Sequence, residues 1–86
     1  MMSREDAVDI GGDDMLFADG LDAALVGVGR RCGQPPIAVY DYGLCVLALV
    51  NEGLSQEDAV EHLEFNTVGA WVGPSTPIYV HFPEEE

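Results

Sequence analysis

Asp19, Asp22, Asp41 and Glu64 carry oxygens suited to acid/base work or to a hard cation, and Cys32, Cys45, His62 and His81 carry the donor atoms zinc prefers. Their spacing decides how far either chemistry goes. An EF-hand loop needs alternating oxygen ligands closed by a glutamate, and Asp19-Gly20-Leu21-Asp22 does not supply them. Structural zinc sites use paired short spacings, which these cysteines and histidines lack. Asp41 is already explained as a helix cap, and His62 follows Asp58 by the four residues of a local helical ion pair. A Cys-His nucleophile would need a proximity that nothing in the spacing implies. Gly27-x-Gly29 lacks the third glycine and the following helix of a dinucleotide fingerprint, and there is no phosphate loop. No catalytic, metal or cofactor residue is assigned, and the chain is read as a non-enzyme.

Charge is the chemistry that stands out. The 86 residues hold sixteen carboxylates against three arginines and no lysine, a formal net charge of -13. Most carboxylates therefore have no basic side chain to pair with, and unpaired carboxylates stay at the surface or in tails. The resulting field favours basic partners and repels DNA, RNA and anionic lipid. Glu57, Asp58, Glu61 and Glu64 are the residues expected to meet such a partner. Asp19 and Asp22 form a second patch, and Tyr79 is the aromatic contributor. The expected mechanism is electrostatic steering onto a basic protein, in competition with its nucleic acid, so association should slow with salt. Two other readings compete. One is a structural, self-assembling component whose apolar strand edges pair between subunits; the other treats the charge as adaptation to concentrated salt.

A chain this short forms one domain at most, near the size where a single core only just suffices. Its 48% hydrophobic content argues against disorder. Dimerisation is one remedy for so small a core. No apolar run is long enough to span a membrane, and the acidic N-terminus lacks a signal-peptide pattern, so a cytoplasmic protein is expected. Cys32 and Cys45 are too few for a secreted disulfide scaffold and read as reduced and structural.

The elements that must position these residues are short. Residues 1–15 read as a flexible acidic leader, 16–82 as a single domain and 83–86 as an acidic tail. Strands are expected over 24–28 and 37–40. Asp41 caps a helix over 42–52, apolar almost all round, with Gly53 at its end. Ser55-Gln56-Glu57-Asp58 opens a second helix with a capping-box pattern, running to about Gly69. Ala59, Val60, Leu63 and Thr67 face inward, with Glu57, Glu61 and Glu64 on the opposite side. Phe65 and Trp71 are assigned to the core as large aromatics. Residues 78–82 alternate, with Ile78, Val80 and Phe82 on one face and Tyr79 and His81 on the other. The architecture expected is a small two-layer α+β domain, two helices on a sheet of two or three strands.

Three segments carry a resemblance. They are Asp19-Gly20-Leu21-Asp22-Ala23-Ala24-Leu25-Val26-Gly27-Val28-Gly29, Ala38-Val39-Tyr40-Asp41-Tyr42, and Glu64-Phe65-Asn66-Thr67-Val68-Gly69-Ala70-Trp71-Val72-Gly73 with Thr76-Pro77-Ile78-Tyr79-Val80. Over residues 19 to 81 the chain resembles a family of small uncharacterised proteins encoded in tailed bacteriophages and prophages. The resemblance implies a phage accessory protein acting in the host cell, and brings no activity with it. A basic host protein, such as a defence or DNA-binding factor inhibited by an acidic nucleic-acid mimic, is the partner it suggests.

Overall fold

Ser3 starts the first helix. Its hydroxyl accepts from the Asp6 N–H at 3.1 Å, and the Asp6 carboxylate accepts in return from the Ser3 N–H at 3.5 Å. This reciprocal cap opens α1, Arg4–Gly11, with Glu5 and Asp6 in the first turn where the helix dipole favours negative charge. Gly12, at φ 95°, ends it. Ala7 is wholly buried, and the Met2 N–H donates to the Leu25 carbonyl at 3.1 Å. The flexible leader expected over 1–15 is thus corrected over residues 2–15: capping and the burial of Ala7 and Met15 fold them onto the domain. The computed structural model describes residues 2–83, so Glu84–Glu86 of the expected tail lie outside the described residues.

Beyond a 3-10 turn at Asp22–Ala24, β1 (Leu25–Gly29) pairs antiparallel with β2 (Ile37–Asp41). A bulge between Leu25 and Gly27 shifts the register, so that Leu25 and Val28 both reach the core. Asp41 then accepts the Leu44 N–H at 3.2 Å and caps α2, Tyr42–Asn51. Ser55 caps α3, Gln56–Leu63, by accepting the Asp58 N–H at 3.1 Å. A π-helical turn, Glu64–Val68, extends α3. A Cβ on Gly69 would lie 2.7 Å from the Glu64 carbonyl oxygen, so this wide turn closes only on glycine. The α2–α3 pair forms the long crossover that a parallel strand requires, and β3 (Ile78–Val80) joins β2 in parallel, in the order β1-β2-β3.

One cluster of buried side chains joins the layers: Ala7 from α1, Leu25, Ala38 and Tyr40 from the sheet, Cys45 and Leu49 from α2, and Ala59 and Leu63 from α3. The fold is the expected small two-layer α+β domain, with three helices rather than two. No helix among the described residues is long and apolar enough to cross a membrane.

The faces of β3 are inverted relative to the alternation expected. Tyr79 packs on the core and stacks on Tyr40 with ring centroids 5.6 Å apart, whereas Ile78 is 43% exposed. Register is the cause. Tyr79 lies opposite Tyr40, whose buried hydroxyl accepts the Ala18 N–H at 2.9 Å, and residues directly opposite share a face. The regular strand stops at Val80, leaving Phe82 exposed.

Candidate interaction surfaces

Glu57, Asp58, Glu61 and Glu64 all stand exposed on the side of α3 and its π turn away from Ala59 and Leu63. Helical period alone produces this: the buried pair is spaced i, i+4, and at about 100° per residue the four acids fall on the opposite side. Asp58 and Glu61 border a shallow depression of about 310 Å³ that Leu54, His62, Phe65 and Asn66 complete. Phe65 is 79% exposed, which overturns its assignment to the core. Its position two residues after Leu63 turns it outward, and the period outweighs the residue type. Glu64 is held apart from the other acids, because the Tyr42 hydroxyl donates to it at 2.6 Å and this bond pushes the Tyr42 phenol up to about 12. The His81 ring stacks on Tyr42 at 4.2 Å between centroids.

Asp19 and Asp22 behave differently. Arg4 Nε donates to Asp22 at 2.7 Å, and a second guanidinium nitrogen lies 3.4 Å from Asp19 and 3.4 Å from the Ala18 carbonyl. The guanidinium also sits 5.0 Å from the centre of the Phe17 ring. These are the only ion pairs among the described residues, and they occupy the second expected patch with a structural task. Tyr79, expected on the exposed face, is half-buried, and burial pushes its phenol up to about 12.

The residues weighed for metal or nucleophile chemistry are dispersed. Cys45 is buried, its thiol pushed up to about 11 by that burial, while Cys32 is exposed in the β1–β2 loop. The His62 ring faces Asn66 at 3.4 Å instead of pairing with Asp58. Among the described residues, no three His, Cys, Asp or Glu side chains gather in a way that could hold a metal ion.

A second surface went unread in the sequence. The sheet face turned away from the helices carries Gly27, Gly29, Ile37, Val39, Ile78 and Val80, none of which packs on the core. At one end it deepens into a trough of about 470 Å³ between Ile37, Ile78 and the segment bearing Trp71, rimmed by Arg30 and Arg31. Trp71 is 76% exposed, a second correction to the expected core. It lies in an irregular segment, so no period could have placed it. The strand glycines gave no separate signal of this surface, since Gly27 is accounted for by the bulge beside Leu25. No family model, curated protein or solved structure matches this chain.

Proposed function

We propose that the protein is a non-enzymatic binding protein whose α3 face engages a basic surface of another protein. The observation that carries this reading is the depression where Asp58 and Glu61 flank the exposed Phe65 and the half-buried Leu54. An arginine or lysine of the partner would lay its apolar stem on Leu54, its cation against the Phe65 ring, and its charge between the two carboxylates. Glu57, one helical turn before Glu61, extends the negative field that steers the encounter. A non-enzymatic role is supported by the tasks of the other reactive groups: Asp41 caps a helix, Asp19 and Asp22 hold Arg4, Glu64 holds Tyr42, and the Cys45 thiol stays protonated in the core.

The resemblance to phage-encoded proteins supports a host protein as partner, in the cytoplasm. A surface evolved to hold a nucleic-acid backbone is the basic surface most open to such an acidic competitor. The test uses the wild-type chain and the Asp58→Lys/Glu61→Lys variant as baits in a bacterial lysate at low salt, with an arginine-rich peptide titrated in parallel. Nucleic-acid-binding proteins retained by the wild type alone, released by salt and displaced by duplex DNA, are the expected result. Equal retention on both baits, together with equal peptide affinity, would sink the proposal.

A further inference from the structure

The chain has three arginines and no lysine, and the fold sets the arginines apart. Arg4 is held by Asp19 and Asp22, whereas Arg30 and Arg31 both line the trough and form no ion pair among the described residues. Beyond the α3 reading, we propose that this trough binds a small molecule in which a flat ring carries one compact anion, a carboxylate or a phosphate. The ring lies against the Trp71 indole and the apolar floor, and the anion meets Arg30 and Arg31.

Two closed turns build the site. The Gln34 N–H donates to the Arg31 carbonyl at 3.0 Å, and Gly33 takes the φ of 77° that the third position of such a turn demands. This turn brings the chain back from β1 to β2 and keeps both arginines beside Ile37. The segment bearing Trp71 is tied down in its own way. The Val72 N–H donates to Thr76 Oγ1 at 2.8 Å, and that hydroxyl donates to the Gly73 carbonyl at 2.6 Å. The Thr76 N–H closes the same turn onto the Gly73 carbonyl at 3.0 Å, with Pro74 at its favoured second position. An indole 76% exposed is therefore presented by a fixed turn, and a flat ring can stack on it without ordering a loop first.

Charge and size choose the occupant. No Asp or Glu lines the trough, so an anion enters without a local carboxylate opposing it. Guanidinium groups grip one carboxylate or phosphate through parallel N–H bonds. Beyond the rim the chain carries -13, and a partner rich in acids would be repelled there. A single anion on a small body feels that field least, because its charge lies against the arginines. Volume agrees: about 470 Å³ falls within the roughly 300–1,000 Å³ of small-molecule sites. The bare sheet face, on the order of 250 Å² by strand rise and spacing, falls short of the roughly 800 Å² per side of a standard protein interface.

A ring-bearing anion of about a dozen heavy atoms binds such a site with a Kd on the order of 0.1–1 mM. Trp71 is the single tryptophan, so its indole N–H gives one NMR signal on the trough wall. The test titrates the chain with naphthoate, naphthyl phosphate and the neutral naphthamide to about 10 mM, the range that affinity calls for. Either anion should move the indole signal together with the amides of Arg30, Arg31, Ile37 and Ile78, and the tighter of the two names the anionic group. Naphthamide should bind about tenfold more weakly or less tightly still, the scale of a charge-assisted pair. Arg30, Arg31 and Trp71 are all exposed, so their variants should keep the wild-type circular dichroism. Arg30→Gln/Arg31→Gln should bring naphthoate down to the level of naphthamide and leave naphthamide unchanged. Trp71→Leu, followed by the remaining amides, should weaken both. Absence of any shift, equal binding of naphthoate and naphthamide, or a double arginine variant that binds naphthoate like the wild type overturns the proposal. A glutamate-rich peptide that binds more tightly than either anion also overturns it, assigning the trough to an acidic protein. The arginine variant leaves the α3 depression untouched, so arginine-rich peptide affinity should hold within about twofold and the two readings fail separately.

Discussion

The α3 face and the bare sheet face lie on opposite sides of one small core and differ in the properties that govern association. On α3, Glu57, Asp58 and Glu61 stand in solvent without a cation among the described residues to answer them. On the sheet, Ile37, Ile78 and Trp71 form an apolar trough rimmed by Arg30 and Arg31. The net charge of -13 is therefore an average that describes neither region. Local charge decides what each surface can touch: α3 attracts from a distance, while the sheet gains only at contact.

Both surfaces hang on the layer between them, so dissolving that layer is the harshest way to break the comparison. Alkali should do it. The Cys45 thiol, ordinarily near 9, is pushed to about 11, and the Tyr79 phenol, ordinarily near 10, to about 12. Below about pH 9 the thiol is protonated in both states and its contribution to stability is complete. Between about 9 and 11 the unfolded chain ionises first, and Cys45 alone withdraws about 2–3 kcal/mol, with Tyr79 continuing the loss toward 12. Urea titrations followed by circular dichroism should show a flat midpoint from pH 7 to 9 and a steep fall above it. Cys45→Ala should flatten the segment between 9 and 11. An unchanged profile in that variant would remove the buried thiol from the account.

The next effect separates the regions instead of destroying them. Salt screens attraction alone at α3, but at the trough it screens both the pull of two arginines and the repulsion of the whole chain, so the two affinities should respond with different slopes. Raising NaCl from about 0.05 to about 0.5 M shortens the Debye length from about 14 to about 4 Å. Affinity for an arginine-rich peptide should fall by about tenfold, since several exposed carboxylates act together. Naphthoate affinity at the trough should change by less than about twofold, because the two screened effects oppose each other. Calorimetry with the peptide and NMR titration with naphthoate measure the two slopes. Equal slopes would mean that one of the surfaces has been given the wrong partner. A fold that melts at low salt and recovers in molar salt would instead favour halophilic adaptation.

How much of this was legible depended on whether a residue's fate was local. The caps at Asp41 and Ser55 are short-range hydrogen bonds, and the sequence pattern located the start of both helices within a residue, the second continuing toward Gly69 as a π-helical turn. The same Ser-x-x-Asp pattern stands at Ser3–Asp6, but the charge and glycines around it masked a helix that Ala7 anchors. Phe65 is exposed because the period that turns Glu61 outward acts on it too, whatever its aromatic character. The faces of β3 could not be read locally, since a register with Tyr40 nearly forty residues away decides them. Arg4 shows the same limit: its partners Asp19 and Asp22 are brought to it by the fold, which turns a supposed binding patch into a clasp.

The smallest effect asks where the α3 surface ends. Tyr42→Phe deletes one hydroxyl and its 2.6 Å bond to Glu64 while keeping the ring on which His81 stacks. Because the bond is on the surface, stability should fall by about 0.5–1 kcal/mol at most. Glu64 would then be released toward Glu61, and arginine-rich peptide affinity should rise by less than about twofold, the scale of one exposed charge. Naphthoate affinity at the trough should not change. If the peptide instead bound more weakly, by as much as in Glu61→Gln, the hydroxyl would be holding Glu64 in a binding position. The basic partner would then contact α2 as well as α3. The sign of this small change thus distinguishes a carboxylate withheld from the surface from one presented by it.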